Sequence, residues 1–186
     1  IGLHQGRMNG LPVDVAVLTN FTRDHLDYHG DMAAYESAKA SLFDWPGLGH
    51  AVINLDDAMG QRLLAQVRQH LPATNIIGTT ITGAAAEGIT VLSASEIRMR
   101  LHGTVFLLTS PLGVMPVRTQ LVGRFNVSNV LAIAAVLLAR GLSLQHIVSQ
   151  LEMLTPVPGR MQQLGGVDAP LAVVDYAHTP DALDKA

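Results

Sequence analysis

A chain of 186 residues with 48% hydrophobic and 15% charged side chains has the material for a packed core and too little charge for a disordered polymer. Its net charge of -3 offers no basic footprint for nucleic acid or an anionic membrane. The absence of cysteine excludes disulfides, zinc–thiolate centres and cysteine nucleophiles, and it suits a cytoplasmic location. No apolar run reaches the roughly 18 residues of a membrane helix. The opening IGLHQGRMNG has neither the charged start nor the apolar middle of a signal peptide. With no initiator Met and an abrupt Asp184-Lys185-Ala186 ending, a piece of a longer protein is expected.

Residues 13–20 (VDVAVLTN) form a short β-branched apolar run, which predicts a buried parallel strand. The polar stretch 19–30 follows it, and ligands of open α/β sheets gather at such strand ends. A helix is predicted over 32–43 with Asp31 as N-cap. A second strand is expected at 51–55, with Asp56 capping the helix DDAMGQRLLAQVRQHL. This βαβα order is that of a doubly wound sheet. From 88 to 121, strand formers punctuated by His102-Gly103 and Pro111-Leu112-Gly113 predict added antiparallel hairpins. Helices are expected at 126–140, with Gly141 as C-cap, and at 144–153. Pro156-Val157-Pro158-Gly159 is a stiff break before a fresh strand at 171–176. The expected organisation is therefore one domain over 1–158 and the start of another over 159–186.

Asp24, His25, Asp27 and His29 make the densest polar cluster. These residue types ligate divalent cations, and a solvated, capped loop accounts for them equally well. Advancing about 100° per residue puts Lys39 within the apolar arc of Met32, Tyr35, Leu42 and Phe43. Outward snorkelling is the commoner fate of such a lysine. The alternative is chemical: desolvation lowers its pKa, and free amine reacts with carbon dioxide to give an anionic carbamate suited to Mg²⁺. Asn126 and Asn129 are three residues apart at a helix start, where they can read an adenine edge or where Asn126 can cap. Arg160, after the Pro-Gly break, can clamp a phosphate or be an exposed boundary residue. Asp175, ending a strand, suits a ribose hydroxyl, and His178 lies in the adjacent loop. Arg7 by itself would be an ordinary surface residue.

TNFTRDHLDYHG, the step from His25 to Lys39, and YESAK resemble the Mur ligases, as do LVGRFNVSN, PVPGRMQ and VDYAHTPDAL. The resemblance covers essentially the whole chain. DYHG and the YxxAK spacing look most like the family member that attaches the third amino acid of the peptide. The resemblance implies a metal ligand at His25 and a carbamylated metal-binding lysine at Lys39. It also implies ATP contacts around Asn126, Asn129, Arg160, Asp175 and His178, and muramoyl-peptide contacts at Gln5 and Arg7. The fold it implies is the family's central α/β domain, plus the first strand of a Rossmann-like C-terminal domain.

The implied activity is ATP- and Mg²⁺-dependent amide ligation in peptidoglycan precursor synthesis. An acyl phosphate carries diaminopimelate or lysine onto UDP-N-acetylmuramoyl-dipeptide, in a monomeric cytoplasmic enzyme. The GxxxxGK[ST] phosphate loop that this chemistry needs has no match here; the resemblance places it, and a metal-binding glutamate, upstream of Ile1. The isolated chain is therefore expected not to turn over. Three rival readings are a folylpolyglutamate synthetase-like ligase, a metal-dependent phosphohydrolase built on His25, Asp27 and His29, and a non-catalytic binding module. An inward Lys39 favours the ligase; an outward one favours the last two.

Overall fold

Four short strands, β1 (Val15–Leu18), β2 (His50–Asn54), β3 (Asn75–Thr80) and the start of β4 (Thr90–Arg100), run parallel and side by side. The computed structural model describes residues 1–166, 169–179 and 183. The end of β4 pairs antiparallel with β5 (Gly103–Ser110), and β5 with β6 (Gly113–Thr119), so one sheet has the order β1-β2-β3-β4-β5-β6. The expected mixed α/β sheet is present, but its antiparallel part is no separate unit. β4 belongs to both halves, and its pairing shifts between Ser95 and Arg98, beside Glu96 at φ 51°. The bulge interrupts the β4–β5 ladder, which resumes at Arg98, and adds local twist to the strand.

β2 shows why parallel strands read as continuous apolar runs: Ala51, Val52 and Ile53 are each fully buried. Val52 joins Ile77, Leu92, Phe106, Leu108 and Leu131 on one face of the sheet. That face is covered by α4 (Arg124–Ala139) and α5 (Leu144–Glu152). Ala51 and Ile53 join Leu18, Phe43, Met59 and Leu63 on the other. There lie α2 (Met32–Ala40), a 3-10 turn at Ser41–Asp44 and α3 (Ala58–His70). α3 is amphipathic, burying Met59, Leu63, Leu64 and Val67 at helical spacing. Arg62 forks onto Glu36 with two 2.7 Å bonds, joining α3 to α2. Among the described residues no helix is long and apolar enough to cross a membrane.

Several local expectations shift. Asp31 caps α2 by accepting from the Ala34 N–H, but the α-helix ends at Ala40 and tightens into the 3-10 turn. Asp57, not Asp56, caps α3. α4 begins two residues early, after Gly123 at φ 101°, so Asn126 lies inside the helix and does not cap it. At the other end Gly141, at φ 79°, follows the C-cap; its N–H bonds Leu138 and that of Leu142 bonds Leu137, a Schellman closure. The strand expected at 171–176 is β8 (Ala169–Val174). It pairs antiparallel with β7 (Gln162–Gly166), so among the described residues it lies in a two-stranded sheet of its own. Pro180, Asp181 and Ala182 of the HTPDAL segment, and Asp184-Lys185-Ala186, fall outside the described residues.

α3 starts so close to β2 that a Cβ at Gly60 would lie 1.9 Å from the Asn54 carbonyl oxygen. Backbone cannot yield as a side chain can. Gly60→Ala in the intact protein should therefore reach or exceed the ~1–3 kcal/mol of ordinary overpacking, lowering the melting temperature by about 2–4 °C per kcal/mol. Gly2→Ala, whose nearest contact would be 3.9 Å, is the matched control and should melt like the parent.

Candidate active site

The carboxyl ends of β1, β2 and β3 are laced together by side chains that follow β2. The Asn54 amide donates to the Thr19 carbonyl at 2.7 Å. Asp57 accepts from the Phe21 N–H at 2.7 Å with one oxygen and from the Met59 N–H at 2.8 Å with the other. One carboxylate thus caps α3 and fixes the loop after β1. Asp56 reaches the opposite way, accepting from the Thr80 hydroxyl at 2.6 Å, the Ile81 N–H at 2.7 Å and the Thr82 hydroxyl at 2.5 Å. The sequence reading assigned neither acid to the site. The available signal was an Asp-Asp pair directly after a predicted strand.

Lys39 turns towards this rim. Its Nζ donates to the Asn20 carbonyl at 3.3 Å and lies 5.3 Å from the centroid of the Tyr35 ring, one helical turn earlier. Desolvation pulls its pKa below the ordinary lysine value, opposed by the carboxylates of Asp57 and Asp24. His25 sits before the short helix α1 (Leu26–His29) in the left-handed region, at φ 54°. Its backbone N–H donates to Asp24 Oδ1 at 2.8 Å, and its exposed ring stands nearly perpendicular to that of Tyr35, 5.9 Å between centroids. Lys39 and His25 therefore share one aromatic neighbour.

His29 and Asp27 do not join them in a ligand set. His29 stacks on Tyr35 at 5.1 Å and 27°, its pKa lowered chiefly by burial of the ring, while Asp27 faces solvent. No group of three His, Asp or Glu side chains able to hold a metal occurs among the described residues. The phosphohydrolase alternative needed His25, Asp27 and His29 to converge with other carboxylates, and among the described residues they do not.

The remaining predicted residues fall into separate groups. Gln5 and Arg7 are exposed, in a turn-rich segment docked on α1 by a 3.0 Å bond between His4 Nδ1 and the Tyr28 hydroxyl. Asn126 donates to the Val122 carbonyl at 2.8 Å and accepts from the Asn129 amide at 3.3 Å. Arg160 lies over the Tyr176 ring at 4.8 Å, and His178 packs on the same ring at 5.0 Å. Both Asp175 oxygens accept backbone N–H groups, from Met161 at 2.9 Å and Ala177 at 2.7 Å, so Asp175 pins the entry and exit of the β7–β8 hairpin.

Comparison with known proteins places this mixed sheet, with helices on both faces, in a known family. Residues 1–137 match the Mur ligase middle domain, and the chain belongs to that family. It is 63% identical over 185 residues to the UDP-N-acetylmuramoyl-L-alanyl-D-glutamate–2,6-diaminopimelate ligase of Janthinobacterium sp. (strain Marseille), matching 100% of this chain to 36% of that protein. A solved structure of a ligase with the same name superposes with a TM-score of 0.82 at 40% identity, over 98% of this chain and 36% of that one. MurF from Acinetobacter baumannii superposes with a TM-score of 0.77 at 26% identity, over 92% and 36% of the respective chains. The chain spans 36% of the length of the curated relative.

The lowered Lys39 pKa has a stability consequence. The unfolded chain holds this proton up to the ordinary value of 10.5, and the folded chain releases it earlier. Between the two values the unfolded state binds more protons, so stability rises with pH; below that window the native state carries the full desolvation penalty. In carbon dioxide-depleted buffer, Lys39→Met in the full-length protein should melt higher than the parent at pH 7. The advantage should shrink as pH approaches 10.5; parallel melting curves across pH would contradict it.

Proposed function

We propose that this chain is the middle of an ATP-dependent ligase that attaches meso-diaminopimelate to UDP-N-acetylmuramoyl-L-alanyl-D-glutamate in cytoplasmic peptidoglycan precursor synthesis. The observation that carries the reading is the half-buried Lys39 amine, turned inward beside the His25 segment at the carboxyl end of β1. The 63% identity to a diaminopimelate ligase supports the substrate choice and weighs against a folylpolyglutamate synthetase-like enzyme. Residues 1–158 are the body of the middle domain and 159–186 the beginning of the next. The Pro156–Gly159 break and the separate β7–β8 sheet support that division.

The chemistry follows from the residues. A desolvated amine at Lys39 loses its proton readily, attacks carbon dioxide and becomes an anionic carbamate. One imidazole from His25 and the carbamate oxygens suit magnesium, which keeps waters and takes phosphate oxygens. Magnesium when bound offsets the charge that builds on the transferring phosphoryl group. The substrate's terminal carboxylate takes the γ-phosphoryl group of ATP, and the amine of the incoming amino acid then displaces phosphate from the acyl carbon. Gln5 and Arg7 present an amide and a guanidinium, from an exposed segment, to the muramoyl peptide. The Asn129 side chain donates to Asn126 through its amide N–H, and its Oδ1 is the acceptor it can offer to an adenine amine. Arg160, braced on Tyr176, is a phosphate clamp, with Asp175 and His178 shaping the loop beside it. The enzyme is read as a monomer.

In the full-length protein, phosphate release that depends on both diaminopimelate and the muramoyl dipeptide is the test. Lys39→Ala should lower kcat by roughly 10²–10³-fold, as loss of one electrostatic element of a phosphoryl-transfer site does, and added short-chain carboxylic acids should restore part of it. Unchanged activity in Lys39→Ala would sink the proposal. The isolated 186 residues should release no phosphate.

A further inference from the structure

We infer that Tyr35 is a positioning residue for the Lys39–His25 centre and that the His29 ring clamps it, linking the segment that carries Gln5 and Arg7 to the lysine. The inference rests on the function proposed above and names what holds its centre in shape.

Tyr35 is 7% exposed and lies one helical turn before Lys39, so the two side chains share a face of α2. Its ring is the meeting point of three segments. From the loop after β1 come Phe21, at 5.1 Å and 43°, and the His25 ring, T-shaped at 5.9 Å and 85°. From the end of α1 comes His29, nearly parallel at 5.1 Å and 27°. From α2 itself comes the Lys39 ammonium, 5.3 Å from the centroid.

Neither functional side chain is otherwise firmly held. Among the described residues Lys39 makes one long hydrogen bond, 3.3 Å to Asn20, on a stem with about 2 kcal/mol of rotamer freedom. The exposed His25 ring has Asp24 Oδ1 at 3.6 Å. Without the Tyr35 ring, the ordinary outcome for Lys39 is to swing outward and recover its solvent. Carbamate formation would then be disfavoured.

His29 is placed by ring contacts. Its buried Nε2 has no protein hydrogen-bond partner among the described residues, whereas its ring meets Tyr35, Tyr28 at 4.8 Å and His4 at 6.0 Å. His4 is also bonded to the Tyr28 hydroxyl at 3.0 Å. Contacts therefore run from His4 through His29 and Tyr35 to Lys39, and His4 immediately precedes Gln5.

The test uses full-length protein. Tyr35→Leu removes the ring and keeps bulk, Tyr35→Phe keeps the ring, and His29→Leu removes the clamp from a less buried site. Carbamate is read by NMR after loading with ¹³C-bicarbonate, and kcat is measured at low and raised bicarbonate. Tyr35→Leu should lose about 10²-fold in kcat, the scale of an ångström-level misplacement, with an unchanged KM for ATP. It should also lose carbamate signal at low bicarbonate and recover part of both as bicarbonate rises. Tyr35→Phe should behave as the parent. His29→Leu should lose about tenfold in the same pattern, and it decides the question if Tyr35→Leu fails to fold. Folded Tyr35→Leu or His29→Leu with parental kcat, or with reduced kcat but a full carbamate signal and no bicarbonate response, overturns the inference. Failure of the underlying function is separate: it shows as a carbamate signal or activity indifferent to Lys39→Ala, whatever Tyr35 does.

Discussion

The adjacent carboxylates Asp56 and Asp57 hold the rim on which Lys39 and His25 are mounted. Parallel strands end in backbone donors that the ladder does not use, and at the end of β2 these two side chains collect them from both neighbours. Asp57 takes the loop after β1 together with the first turn of α3, and Asp56 takes the loop after β3. Hydrogen bonds to a charged acceptor are worth about 1.5–3 kcal/mol each, more than a neutral pair. The rim is therefore stiffer than its loops would suggest. Lys39 and His25 inherit that stiffness, because Asn20 and Phe21 are the residues on which their environment is built.

How much of this was legible in the sequence depends on whether a feature is local. The β1 run, the Asp31 cap, the apolar α4 and the Gly141 stop follow from residue pattern and backbone preference, and each is present. β3 was missed because NIIGTT is short and carries a glycine. At Gly78 a Cβ would lie 2.6 Å from the Leu55 side chain, just past the end of β2, a contact that no local pattern displays. β7 was missed for a related reason: QQLGG has no apolar alternation, and its pairing with β8 alone makes it a strand. The cap moved from Asp56 to Asp57 because the neighbouring strand claims Asp56, a competition no single-chain pattern displays. In the site, the spacing of His25 and Lys39 was legible, and so was the apolar arc that contains the lysine. That a tyrosine ring stands between them was not, because periodicity places side chains on a face without saying what meets them there.

The site also gathers several departures from local comfort. A desolvated lysine, a histidine in the left-handed region and a buried imidazole nitrogen without a protein partner lie within one patch. Such violations are expected where function rather than stability selects the residue. A second departure, Met161 at φ 48°, occurs where Asp175 pins the entry to the β7–β8 hairpin.

The division of β4 between two pairing modes bears on the order in which the molecule assembles. Its far half needs only the near neighbours β5 and β6, joined by tight turns, whereas its near half must find β3 across the 81–89 loop, and β3 in turn β2 and β1 across intervening helices. Loop-closure entropy favours the local pairings first. The antiparallel meander can thus serve as a template onto which the parallel strands add outward. On that route β1, the strand that leads to His25, joins after β4, β3 and β2, so the chemistry of the site matures late.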